Sequence, residues 1–357
     1  MTTNHLYLTW YGELRRMFTQ LHQPQLRNLT WLLVGIYLSR SVHLNQVAGK
    51  IPGRATLVSL TRRLSRFLAG TALVVRRTYE PIIRPVLTRL AQAGVLRLII
   101  DGSKVGFQHQ LLMVSVAYRR RAIPVAWTWV RSTRGHSSTH VQLALLAYVR
   151  SLLPPEPHVE LSGDCEFGAI EVARQVDTWG WTYALRQKSN HQVKAEADDD
   201  WQHFSTLVQQ PGDSRWIANG WLTVTHQYTT NLLAHWAKGE AEPWLIATNF
   251  PTTRDTLKCY SRRMWTEELF GDLKGHGFDL ETTHLNDIIK LSRLTLAVAL
   301  LYTWLVAFGS QVIKGGQRYL VDRADRRDLS IFQIGLRFIE RRLTNALPIR
   351  IMFLFAT

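Results

Sequence analysis

Tyr260, Arg263, Glu267 and Lys274 follow one another at intervals of three, four and seven residues. On an α-helix such steps return to nearly one side, so a phenol, a guanidinium, a carboxylate and an ammonium would share a face. That set suits a phosphodiester: the glutamate can hold metal while its neighbours grip phosphates. A solvated helix face carries charges at the same spacings, so the stretch needs partners elsewhere. Two isolated aspartates supply them. Asp101 closes the apolar run Leu96-Arg97-Leu98-Ile99-Ile100, and Asp164 closes Val159-Glu160-Leu161-Ser162-Gly163.

Phosphodiester cleavage needs an activated water, a neutralised scissile phosphate and a stabilised leaving oxygen, and two Mg²⁺ ions can supply all three. Mg²⁺ takes few carboxylate oxygens and keeps several waters, so three carboxylates can serve two ions. In this reading Asp101 bridges both ions, and Asp164 and Glu267 each complete one. Arg263 and Lys274 would bind the DNA backbone beside the cut, and Tyr260 would donate to a phosphate oxygen. Glu268, rotated by ~100° from Glu267, falls off that face.

The elements that must position these groups can be read in order. Residues 1–95 have helical periodicity over Leu6 to Leu21, Gln25 to Leu38 and Leu57 to Leu68, and carry many arginines. A basic, helical DNA-binding domain is the expectation. Leu96 to Ile100 then reads as a buried strand, followed by strands at Leu111 to Tyr118 and Ala122 to Val130 joined through Arg119-Arg120-Arg121. A helix over His140 to Leu152, a strand ending at Asp164, a helix over Phe167 to Thr178 and a strand over Trp181 to Arg186 complete an α/β core, first part 96–188. This is the order of a ribonuclease-H-like domain, in which strands one and four lie side by side.

Residues 189–243 are polar, rich in Gln and Trp, and read as a β-rich insertion. Asp198-Asp199-Asp200 within it reads as a solvated turn, since three consecutive side chains cannot converge on one ion. Residues 244–313 return to the core with a strand at Trp244 to Thr248 and the Glu267 helix, starting near Thr253. Residues 314–357 form a basic helical tail, with a helix from Ser330 to Leu343.

The chain has 357 residues, 46% hydrophobic, with 43 Lys and Arg against 27 Asp and Glu, a formal charge of +16. That excess, spread along the chain, predicts a polyanionic partner and a wide binding surface. Cys165 and Cys259 give neither a disulfide framework nor a zinc site and read as buried thiols. No secretory leader is visible, which places the protein in the cytoplasm, at the nucleoid. Leu294 to Ile313 is uncharged over twenty residues, the length of a membrane span. Its polar residues and its place after the Glu267 stretch predict a core helix and no membrane partner.

Asp101 and Asp164 at strand ends, with Tyr260-x2-Arg263-x3-Glu267-x6-Lys274 on a late helix, resemble the DDE transposases of bacterial insertion sequences. The likeness is to the group marked by a tyrosine–arginine–glutamate–lysine motif, and it spans Leu96 to Ile313. It implies a transposase that nicks transposon ends to release a 3′ hydroxyl and joins them to target DNA, directly or through a hairpin. It implies two Mg²⁺ ions, for which Mn²⁺ can substitute, double-stranded DNA as partner, and a homodimer in the synaptic complex. In hairpin-forming relatives a tryptophan before the tyrosine motif stacks on a flipped base; Trp244 stands in a similar context, ahead of Trp201, Trp216 and Trp221. The competing expectations are a domesticated, inactive DNA-binding protein of the same fold, a structure-specific nuclease, and a basic membrane-associated protein.

Overall fold

A computed structural model describes residues 2–106, 108–131, 136–323 and 325–356. The architecture is mixed α/β, and the chain falls into two compact units. One is helical and comprises residues up to Arg89, the short Val105–His109 segment and everything from Glu268 onward. The other, Leu90–Lys104 with Gln110–Glu267, holds the sheet.

The helical unit contains α1 (Thr2–Met17), α2 (Gln23–Ser39), α3 (Leu44–Ala48), α4 (Leu57–Ala69) and most of α5 (Val75–Gln92). In α4 the buried positions are Leu60, Leu64, Phe67 and Leu68, a stripe of helical period, and Thr56 caps the first turn by accepting from Ser59 N. Helix α5 was hidden from a reading of the sequence because Pro81 and Pro85 lie inside it. An interior proline costs a helix about 3 kcal/mol. Here the burial of Tyr79, Ile82, Ile83, Val86 and Leu87 offsets that.

In the other unit the strands are β1 (Leu96–Val105), β2 (His109–Tyr118), β3 (Arg121–Arg131), β4 (Val159–Gly163) and β5 (Thr182–Arg186). Two helices, α6 (Thr139–Leu152) and α7 (Ile170–Thr178), are interleaved with them. The segment after β5 adds β6 (Gln192–Lys194), β7 (Gln202–His203), β8 (Ser214–Leu222), β9 (Tyr228–His235) and β10 (Trp244–Thr248). All ten strands form one sheet in the order β3-β2-β1-β4-β5-β10-β9-β8-β6-β7. Strands β1, β4 and β5 run parallel, as buried strands joined by crossover helices do. The expected neighbourhood of the first and fourth strands is therefore present. The polar segment is not a separate layer; its strands continue the core sheet through the antiparallel β5–β10 pair. Asp198 to Asp200 lie exposed in a turn. The sheet ends on β3, which carries Pro124, and on β7, two exposed residues long.

Beyond β10 the expected single helix is broken. It comes as α8 (Thr253–Tyr260), a 3₁₀ turn at Ser261–Arg263, and α9 (Met264–Leu273). The chain ends with α10 (Ile288–Lys314) and α11 (Ile331–Thr344). The expected second part of the core, 244–313, is split: α10 belongs to the helical unit, where it packs on α2, α4 and α11. Helix α10 is long and apolar enough to cross a membrane, yet its apolar stretch is 89% buried within the protein. A helix apolar all round is a core helix when other helices cover it. Arg293 enters this core by donating to the carbonyls of Leu68 (2.7 Å) and Leu73 (2.9 Å).

Helices α10 and α11 meet through two glycines. A Cβ at Gly335 would stand 2.0 Å from Leu305 O, and one at Gly309 would stand 2.1 Å from Ile331 O. Gly335→Ala should therefore force the helices apart and lower stability by about 1–3 kcal/mol. Gly12→Ala, at an exposed helical position with open space around it, should instead stabilise by about 0.5–1 kcal/mol. Urea midpoints of the two variants against wild type check both signs.

Candidate active site

Parallel pairing of β1 and β4 sets the first two carboxylates. Its last register pair is Ile100 with Gly163, so Asp101 and Asp164 come next on adjacent strands of the same direction. Such strands lie about 4.8 Å apart. Asp101 is not at the end of its strand as expected. Strand β1 continues to Val105, and only the pairing with β4 stops. Gly102 follows because the backbone is crowded there: a Cβ would stand 2.3 Å from Gln110 Nε2. Gly102 N donates to Asp101 Oδ1 at 2.8 Å. Asp164 turns into a 3₁₀ turn at Cys165–Phe167 and accepts from Glu166 N at 3.0 Å.

The third carboxylate comes from α9. Arg263, in the preceding 3₁₀ turn, donates through Nη1 to Asp101 Oδ2 at 3.2 Å and through Nη2 to Glu267 Oε1 at 2.8 Å. One guanidinium thus bridges a buried carboxylate and an exposed one. Burial pushes the Asp101 carboxyl up to about 7; Arg263 and the Gly102 amide pull it down, while Asp164 and Glu267 add to the rise. Burial works against the charge on Arg263, but Tyr260, Asp101 and Glu267 outweigh it and hold the guanidinium protonated. Asp101 therefore feels the charges of both Asp164 and Glu267.

Tyr260 departs from the expected shared helix face. It is buried at the end of α8, where Trp244 of β10 meets it edge to face at 4.9 Å. Its hydroxyl lies beside Arg263, and neither that hydroxyl nor Arg263 Nε has an acceptor among the described residues. Burial raises the phenol pKa, which keeps it a donor. Lys274 does not share the helix face, because α9 ends at Leu273; its ammonium pairs with Glu281 at 2.6 Å. Trp244 is half-buried. Trp216 joins the same cluster, whereas Trp201 and Trp221 flank Lys194 Nζ at 5.3 and 5.5 Å. Cys259 is buried as expected, but Cys165 is only half-buried, since it lies in the turn after Asp164. Burial and its hydrogen bond with Asp164 push its thiol up to about 11, so it stays protonated.

Glu166, outside the expected set, braces the turn after Asp164. Its carboxylate accepts from Ser137 N (2.7 Å), Ser137 Oγ (2.6 Å) and Gln110 Nε2 (2.8 Å). Those bonds tie the turn after Asp164 to β2 and to the lead-in of α6. Two residues from Asp164, Glu166 gave only the signal of a second nearby acid.

A family model for the transposase DDE domain matches residues 99–304, more than half of the chain. The chain belongs to the DDE transposase family. No curated protein matches it. Among solved structures it is similar to a piggyBac transposase synaptic complex with hairpin DNA, at 11% identity, over 98% of this chain and 83% of that one, with a TM-score of 0.43.

DDE transposases bind DNA and generally use divalent metals. Among the described residues no three His, Cys, Asp or Glu side chains converge as a ready metal cage. The reason is local: Arg263 holds one oxygen each of Asp101 and Glu267, and Asp164 is turned toward its own backbone. The donor set nevertheless fits a hard divalent ion, being oxygen only, with a guanidinium now supplying the positive charge.

The raised Asp101 pKa has a stability consequence. An unfolded aspartate titrates near 3.9. Between that value and about 7 the folded transposase keeps a proton that the unfolded chain has released, so stability falls as pH rises through this window. Asp101→Asn removes the ionisable group. With chelator present it should raise the melting temperature at pH 8 and change it little at pH 5. An equal shift at both pH values would show that Asp101 is not a strained carboxylate.

Proposed function

We propose that this protein is an insertion-sequence transposase of the tyrosine–arginine–glutamate–lysine group, built on a ribonuclease-H-like core with a β-strand insertion. Asp101, Asp164 and Glu267 are its catalytic carboxylates and metal ligands. One observation carries the reading: Arg263 donates to both Asp101 and Glu267, while Tyr260 OH and Arg263 Nε beside them have no acceptor among the described residues. Buried donors without partners are rare, and a phosphate oxygen supplies what both lack.

A scissile phosphate seated there accepts from Arg263 and Tyr260. Arg263, already charged and positioned by Asp101 and Glu267, stays aligned as negative charge builds on the phosphate. Bound divalent metal, Mg²⁺ with Mn²⁺ as substitute and two ions in number, would activate the nucleophile, neutralise the phosphate and stabilise the leaving oxygen. Water is the first nucleophile and frees a 3′ hydroxyl at the transposon end. That hydroxyl then attacks target DNA, or first the opposite strand to give a hairpin; both are in-line transfers at one site. Trp244, braced edge-on by Tyr260, offers a stacking face for a base extruded on the hairpin route. Lys274 would exchange Glu281 for a backbone phosphate. The basic helices of residues 1–95 bind the ends, and two copies of the chain synapse them.

The test is strand cleavage of a labelled duplex carrying the transposon end, in Mg²⁺. Wild type should nick at the end boundary. Asp164→Asn and Glu267→Gln should retain binding and lose cutting by roughly 10²-fold or more. Cutting by either variant at the wild-type rate would remove that residue from the catalytic set. Mg²⁺ should also raise the melting temperature of wild type at pH 8 and leave that of Glu267→Gln nearly unchanged.

A further inference from the structure

Strands β2 and β3 are joined by two residues, Arg119 and Arg120, with φ of 46° and 64°. Positive φ at both central positions is the type I′ hairpin turn, which Asn-Gly fits and branched-off L side chains resist. A non-glycine residue held in the left-handed region crowds its Cβ against the following carbonyl oxygen and is disfavoured there. Two exposed arginines therefore occupy a turn that other residues would make more stable. Arg119 has one local return, its guanidinium lying 5.5 Å from the centre of the Tyr118 ring, and a turn that otherwise breaks a local rule is where function is to be sought.

A second observation lies beside it. Arg97 Nε at 3.1 Å and Arg262 Nη1 at 3.4 Å both approach Glu160 Oε2. One carboxylate cannot neutralise two guanidiniums, so a positive charge is left over. Burial and the nearness of Arg97 both lower the Arg262 pKa, as expected where cations are held together.

The placement connects the two. Arg97, Ile99 and Asp101 alternate onto one face of β1, so Arg97 lies about 13 Å from Asp101. Strands joined by so short a connection as that between β1 and β2 run antiparallel. Ser115 Oγ donates to Ile99 O, which sets Tyr118 opposite Leu96. The arginine turn then lies past the start of β1, about 17–20 Å from Asp101. Arg262 adjoins Arg263, so positive charge runs from the carboxylates through Arg262 and Arg97 to the turn.

We infer that Arg262, Arg97 and the Arg119–Arg120 turn form a track for the phosphate backbone of duplex DNA, reached about five base pairs from the reacting phosphate. The inference rests on the proposed function, which seats that phosphate beside Asp101. The occupant is a phosphodiester backbone, because the charged groups named along the track are four guanidiniums against one carboxylate, Glu160.

The test uses the full chain, a 30-base-pair duplex of arbitrary sequence, chelator, and affinity measured between 50 and 200 mM salt. Arg119→Asn with Arg120→Gly should raise the melting temperature, weaken binding, and reduce the slope of log affinity against log salt by about two. Arg97→Gln should reduce it by about one. A turn variant that melts higher and keeps the wild-type slope overturns the turn's role; an unchanged slope for Arg97→Gln overturns that of Arg97. The outcomes stay separate from catalysis. A chain that cuts transposon ends while both variants keep the full slope sinks the track alone. A chain that shows the slope changes and never cuts keeps the track and sinks the catalytic assignment.

Discussion

Carboxylates held near one another repel, and that repulsion is offset by positive charge between them. Arg263 provides it by touching Asp101 and Glu267 at once. This bridge also joins the strand that carries Asp101 to the helical segment that carries Glu267, so an electrostatic requirement doubles as a positional one. Burial of Asp101 raises the demand, since a charge in low dielectric needs a close partner. The guanidinium is therefore as much a part of the arrangement as the acids it separates.

Much of this was legible in the residues. The order of strands and helices along residues 96–188 resembles that of a ribonuclease-H-like domain, in which strands one and four are neighbours. Asp101 and Asp164 could therefore be placed side by side before any coordinates. The row from Tyr260 to Lys274 was legible as a set but not as a geometry. Periodicity assumes an unbroken helix, whereas Tyr260 is drawn inward onto Trp244 and the backbone tightens to 3₁₀ at Ser261–Arg263. Glu166 could not be assigned, because its partners Gln110 and Ser137 are distant in sequence. Helix α5 was masked by Pro81 and Pro85, whose local cost tertiary packing outweighs. Helix α10 was legible as a core helix, but its unit was not, since contacts and not chain order decide that.

The polar stretch after β5 shows how a fold takes on an addition without a new core. Val193, Phe204, Ile217, Leu222 and Leu232 pack with Ile170, Leu245 and Ala247 of the central elements in one cluster. Its strands hydrogen-bond outward from β10, so the added segment inherits its register from a strand already fixed by β5.

A ten-stranded open sheet has two free borders, and a border strand with unpaired amides invites a second molecule to pair with it. One border here is β3, eleven residues long and apolar, the more hazardous kind. Pro124 lies within it and lacks the amide proton that a docking strand would need. The other border, β7, has two residues, too few to template a partner. Both ends of the sheet thus resist uncontrolled self-pairing, which matters for a strongly basic protein brought to high local concentration on a polyanion.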